Sequence, residues 1–222
     1  MEGKQKPMED EMFNRRWIVV LVALALWFAC LPGKTALCAD DYPALLAKVK
    51  AFDKTVDFKA LRLAYTKTPD YNPYGRDNSK DDAMGKALEE KKFEEAIKIA
   101  QTILEKNYVH IFSHFVSRIA YRELGDQKKF EYHHFVTNGL IQSILGSGSG
   151  GDPGGAFLVI STDEEYMILD VLGLKSKMQS TLKVADQTYD KLEVVDRKTG
   201  DTGEIFFNVT IPFGWLSRQF QN

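Results

Sequence analysis

The side chains best suited to chemistry in this 222-residue chain are its four histidines, all within YVHIFSHFVSRIAYRELGDQKKFEYHHF, residues 108 to 135. His110 and His114 stand four apart, so on a helix they project together and could share a zinc ion. A zinc hydrolase helix of that spacing carries its glutamate base directly after the first histidine, and here Ile111 occupies the position. Further ligands would have to come from His133 and His134, but adjacent helical residues diverge by about 100°, so at most one could join. No serine sits in a nucleophile-like turn, so a hydrolytic triad lacks its first member. We therefore expect no catalytic residue, no metal and no cofactor. The alternative is a metal-assisted or histidine-dependent hydrolytic enzyme.

A binding surface is the stronger expectation. Placing residues at about 100° intervals from Val109 to Leu124 gathers Val109, Phe112, Phe115, Val116 and Ile119 on one stripe. His110, His114, Ser117 and Tyr121 fall opposite, flanked by Arg118 and Arg122. In stacked helix pairs the first helix of each pair lines the concave side, which would turn this set into a polar, aromatic stripe for a peptide, a glycan or an acidic partner. The plain alternative is a solvated helix face. On the next helix His133 lies among Val136, Leu140 and Ile144, and His134 near Ile141 and Leu145. The candidate binding residues are thus His110, His114, Ser117, Arg118, Tyr121, His133 and His134. Tyr71 and Tyr74 of DYNPYG could extend the groove, though proline-flanked tyrosines commonly pin a loop to the body.

The elements that must position these residues are helical from Tyr42 to Leu145, where apolar residues recur at three- and four-residue spacing. TPDYNPYGRDNS interrupts them as a loop, and Gly125 is placed to cap a helix in the left-handed conformation. KKFE occurs at Lys91 to Glu94 and again at Lys128 to Glu131, each copy opening a helix that closes on TIL or SIL. The repeat suggests tetratricopeptide-like antiparallel helix pairs, with an irregular bundle as the simpler alternative. His133 and His134 stand where the first copy has Ala96 and Ile97. Either the helices part there to admit an imidazole, or the His133 ring has a buried partner.

GSGSGGDPGG, residues 146 to 155, reads as a linker. A phosphate-binding loop would need a following lysine and would run into a helix, whereas this one runs into the apolar strand AFLVI. STDEEYMILDVLGL then predicts a short helix with a capping box, its acids Asp163, Glu164 and Glu165 being assigned to the favourable end of the helix dipole. KMQSTLKV, YDKLEVVD and EIFFNVTI are strand-like, the last two joined by the turn RKTGDTG, and PFGWLSRQF packs at the end. The expected fold is α+β, antiparallel helix pairs over 40–145, the linker at 146–155, and a small, mostly antiparallel sheet with one helix over 156–222.

Residues 1–39 read as a signal peptide, with Arg15 and Arg16 before an apolar run too short to span a bilayer comfortably, and cleavage near Cys38 or Ala39. A start at Met12 would give MFNRR, an ordinary opening for such a segment, where the first eleven residues are oddly acidic. Lipoprotein and twin-arginine signals both match poorly. Cys30 and Cys38 are the only cysteines, so the exported chain would carry none, which excludes disulfides, thiol catalysis and cysteine metal sites. The net charge of −2 is mixed along the chain and provides no basic field for nucleic acid. These features predict a periplasmic or extracellular protein without a stable membrane span, whose partner is another envelope protein or a peptide.

VDFKALRLAYTKTPDYNPYG, HIFSHFVSRIAYRELGD, KFEYHHFVTNGLIQSIL, FLVISTDEEYMILDVLGL, YDKLEVVD and IFFNVTIPFGWL together resemble the bacterial exported family known only as domain of unknown function 4919. The likeness covers nearly the whole chain after the presequence. It implies helices followed by a small sheet, and it brings no established activity or catalytic residue. Residues 146 to 155 depart from the family pattern in being richer in glycine and serine and in lacking lysine.

Overall fold

The computed structural model describes residues 41–75 and 78–220. The chain divides into Met1–Ala39 and Asp40–Asn222, and all described residues belong to the second unit. The segment expected to be a signal peptide and both cysteines lie outside the described residues.

Six helices come first: α1 (Tyr42–Lys50), α2 (Phe58–Tyr65), α3 (Asn78–Glu89), α4 (Phe93–Leu104), α5 (Ile111–Glu123) and α6 (Gln127–Leu145). Aspartates start three of them. Asp41, Asp57 and Asp126 each accept a hydrogen bond from the backbone N–H three residues on, satisfying a donor that the first helical turn leaves over. Gly125 precedes the last of these caps in the left-handed region at φ +74°, as its place after the α5 periodicity predicts. Short turns make α3 to α6 successive antiparallel hairpins, with α5 packed on α4 on one side and α6 on the other. The sequence repeat is out of step with this arrangement. The first KKFE straddles the start of α4, while the second lies wholly inside α6.

After α6 a 3-10 turn (Pro153–Gly155) leads to β1 (Phe157–Leu158), α7 (Thr162–Val171), β2 (Leu174–Val184), β3 (Gln187–Asp196), β4 (Thr202–Asn208) and α8 (Thr210–Gln219). The strand order is β1-β4-β3-β2, antiparallel except for the two-residue parallel pairing of β1 with β4. The fold is therefore α+β, helices first and sheet second, and a second helix, α8, joins α7 in the sheet half. Among the described residues no helix is long and apolar enough to cross a membrane.

The expected linker is corrected by the structure. Leu61, Val136, Leu140 and Ile144 of the helices share one core with Phe157, Ile168, Leu192, Val194 and Phe207, so the two halves bury their apolar faces against each other. The segment between them is folded down. Ser149 N–H and Gly150 N–H both donate to the Gly155 carbonyl at 2.8 Å, and Gly150 O accepts from Phe206 N–H at 2.9 Å. A side chain at Gly148 would stand 2.2 Å from the Gly155 oxygen, so glycine serves close backbone approach there and not mobility.

Candidate functional site

The three consecutive acids that open α7 diverge. Glu164 turns onto Arg62 of α2, with Nε to Oε1 at 2.7 Å and Nη2 to Oε2 at 2.5 Å, both side chains almost wholly buried. The same guanidinium reaches Ser143 Oγ on α6 at 3.2 Å and the Leu158 carbonyl of β1 at 2.9 Å. A buried charge pair persists only when its remaining donors and acceptors are met, and this one ties four elements together while meeting them. The capping box expected here does not form. Ser161 makes no side-chain cap bond, and Glu164 Oε2 instead accepts from Ile160 N–H at 2.8 Å. The dipole reading of these acids is corrected accordingly. Glu165 is fully buried against the sheet side, where burial first and then the charges of Asp190, Glu164 and Asp163 push its carboxyl up to about 9.

Asp163 lines a cleft between the loop after α2, the start of α3, the α4–α5 turn and the first turn of α7. The cleft has two contiguous lobes of about 210 and 270 Å³, which share Tyr65, Asn72, Asp81, Asn107, His110 and Ser161. His110 is the N-cap of α5. Its Nδ1 accepts from Ser113 N–H at 3.3 Å and lies 2.8 Å from Ser113 Oγ, which assigns the ring proton to Nε2, 3.8 Å from Asp81 Oδ2. Serine, histidine and aspartate thus stand in sequence, but Ser113 is wholly buried and cannot meet a substrate. The arrangement starts a helix.

The open polar stripe expected on α5 is corrected by packing. His114, Ser117 and Tyr121 are buried between α4 and α6, which pack on α5 from either side, while Phe112, Phe115 and Ile119 of the apolar stripe are only half-buried. His114 Nε2 lies 2.9 Å from the Tyr108 carbonyl, which can only accept, so that nitrogen carries the proton. His114 Nδ1 is then an acceptor, and His133 Nδ1–H donates to it across 3.0 Å. The partner that His133 needs at its packing position is His114. Burial, with the neighbouring histidine and Lys129 adding to it, holds both rings neutral, His114 down to about 3 and His133 to about 4. Tyr121 stacks on His133 with ring centroids 5.5 Å apart.

The remaining candidates disperse. Arg118 lays its guanidinium over Phe115 at 4.9 Å, and exposed His134 stacks on Phe130 while bonding Asn138 at 3.0 Å. His110 and His114 do not converge on a common point, one facing Asp81 and the other Tyr108. Among the described residues no trio of His, Cys, Asp or Glu is placed to hold a metal ion. Tyr71 pins its loop, donating to the Ile160 carbonyl at 2.6 Å, while Tyr74 stays part-exposed against Trp215.

Residues 38–214 match the family model described as Domain of unknown function (DUF4919). The chain belongs to the DUF4919 family. No curated protein and no solved structure matches it.

In this DUF4919 chain, sequence reasoning missed Arg62, Asp81, Asn72, Asn107 and the inward course of Glu165 and Asp190. Arg62 had a usable signal, standing one residue after Leu61 on the face that α2 buries. Asn72 and Asn107 sit in turns where asparagine is common for local reasons, and each does accept from a backbone N–H two residues on.

Proposed function

We propose that this DUF4919 chain is an exported, non-enzymatic binding module of the cell envelope that seats an extended peptide segment of a partner protein in the two-lobed cleft. One observation carries the reading. Asn72 and Asn107 give their side-chain oxygens to local backbone, which leaves each amide nitrogen as a donor, and Ser161 adds a hydroxyl that makes no cap bond. These three donors, without partners among the described residues, all lie on the lining that the two lobes share and suit the carbonyls of an extended chain.

The test is selection of linear peptides from a displayed random library against the purified chain, followed by calorimetry on the best binder. Asn72→Asp and Asn107→Asp keep the oxygen that holds the turn and delete the donor, so each should weaken binding roughly tenfold, about 1.4 kcal/mol. Lys183→Ala on the distant edge strand β2 should leave it unchanged. Peptides bound equally by all four proteins would place the binding face elsewhere.

A further inference from the structure

β2 stands at the end of the strand order, and among the described residues no strand pairs with its far side. It is also 11 residues long, where strands of about 5–6 are usual. The direction of its backbone groups follows from the pairing deeper in the sheet. Phe206 N–H donates to the Gly150 carbonyl, away from β3, and Lys191 of β3 stands opposite Phe206. Lys191 therefore turns its own backbone groups towards β2, where its partner is Ser180. Alternation then aims Ser180 and Leu182 at β3, and Gln179, Thr181 and Lys183 at the open edge.

Two of the outward residues are fixed by their side chains. Thr181 Oγ1 donates to Asp190 Oδ1 at 2.6 Å and Gln179 Nε2 to Asp190 Oδ2 at 2.7 Å, while Tyr166 of α7 donates to Gln179 Oε1 at 3.2 Å. Asp190 is itself only 6% exposed, so the open N–H and C=O groups are held in line by a buried anchor. On the other face of the strand exposed Met178 and Val184 flank half-buried Leu182 beside the same edge. Open backbone next to alternate apolar side chains is the surface that strand addition uses.

Proteins commonly blunt such an edge with a bulge or with lysine. The bulge here lies between Ser176 and Met178, which leaves the stretch from Met178 to Val184 regular. Lys175, Lys177 and Lys183 are exposed, and β2 holds no acid. A second copy of this edge would bring three more lysines against them, whereas an acidic strand would be drawn in.

We propose that the β2 edge receives, as an added strand, an extended segment of a partner protein in which apolar and acidic side chains alternate. Its apolar face covers Met178, Leu182 and Val184, and its acids meet the lysines. No β2 residue lines the two-lobed cleft, so this site stands or falls independently of the peptide reading made for the cleft.

The experiment titrates the full chain with a short peptide alternating valine and glutamate, and in parallel with one alternating valine and lysine, following amide hydrogen exchange by NMR. The glutamate peptide should bind at least about tenfold more tightly. On binding, the amides of Gln179, Thr181 and Lys183 should slow, while those of Ser180 and Leu182, already paired with β3, should not change. The variant Lys175→Glu/Lys177→Glu/Lys183→Glu should invert the preference between the peptides. Asn72→Asp and Asn107→Asp should leave it as in wild type, and circular dichroism confirms that each variant is folded. Unaltered exchange at the three outward amides, or equal binding of the two peptides by wild type, overturns the proposal. So does sedimentation of wild type as a dimer whose outward amides are protected without peptide, since the occupant is then a second copy.

Discussion

His114 and His133 face each other nitrogen to nitrogen across the α5–α6 interface, 3.0 Å apart, with one proton between them. A further proton on His114 would go to Nδ1 and set two N–H groups head to head, and one on His133 would go to Nε2 and place a charge against the buried His114 ring and beside Lys129. The direction of the resulting pH dependence follows from the two lowered values, about 3 and about 4. Below the ordinary imidazole value near 6.5, the unfolded chain binds protons that the folded chain refuses. Stability from the pair is therefore intact above about pH 6.5 and is lost as pH falls towards the folded values.

The loss should approach about 1.4 kcal/mol per pH unit for each histidine. Urea midpoints measured at about pH 7, 6 and 5 should fall steadily, and His133→Gln should show roughly half the wild-type slope. A midpoint that stays level across that range in wild type would rule out a neutral, buried pair.

Arg62 and Glu164 predict a different mutational signature. Removing one partner strands the other charge in the interior, so Arg62→Met or Glu164→Gln alone should destabilise by about 3–5 kcal/mol. The double variant Arg62→Met/Glu164→Gln should lose less than the two single changes added together, since no isolated charge is left. Denaturant unfolding of the four proteins gives the coupling directly. Additive losses would mean that the two side chains do not act as a pair.

Gly139 lies where α6 crosses α2. A Cβ there would stand 2.1 Å from the edge of the Phe58 ring, which is itself held edge-on against Phe135 with centroids 5.2 Å apart. The ring has no cheap way to retreat, so Gly139→Ala should cost about 1–3 kcal/mol despite the better helix propensity of alanine. Phe58→Leu in the same chain should recover part of that loss. Thermal unfolding distinguishes the outcomes, and a Gly139→Ala protein as stable as wild type would show that the α2–α6 spacing is looser than described.

The helices were readable from the sequence because periodic apolar positions and turn residues such as Gly125 are local signals, and the three main strands because alternation and turn residues are local too. Two features resisted. The parallel pairing of β1 with β4 rests on two residues whose partners lie about fifty positions away, and no local pattern encodes it. The burial of His114, Ser117 and Tyr121 depends on α6 covering a stripe that looks polar on a helical wheel, because a wheel sorts residues by face and cannot show what covers the face. Asp163, Glu164 and Glu165 posed the same difficulty. Acids in a first helical turn already have a sufficient local explanation, so nothing in their spacing distinguishes a cleft residue, an ion-pair partner and a buried acid.

Glu165 supplies the last prediction, and its sign is opposite to that of the histidines. Its folded value is raised to about 9, above that of an exposed glutamate, so its contribution to stability is fully present below about pH 4.5 and is lost as pH rises through about 9. At pH 7 the loss amounts to about 3 kcal/mol, the penalty for keeping a carboxyl neutral inside the fold. Wild type should lose stability steadily from about pH 5 to pH 9. Glu165→Gln, which cannot ionise, should show a flatter profile and a higher melting temperature at the alkaline end. Parallel profiles for the two proteins would mean that Glu165 ionises in place without resistance, and that its burial is weaker than the geometry shows.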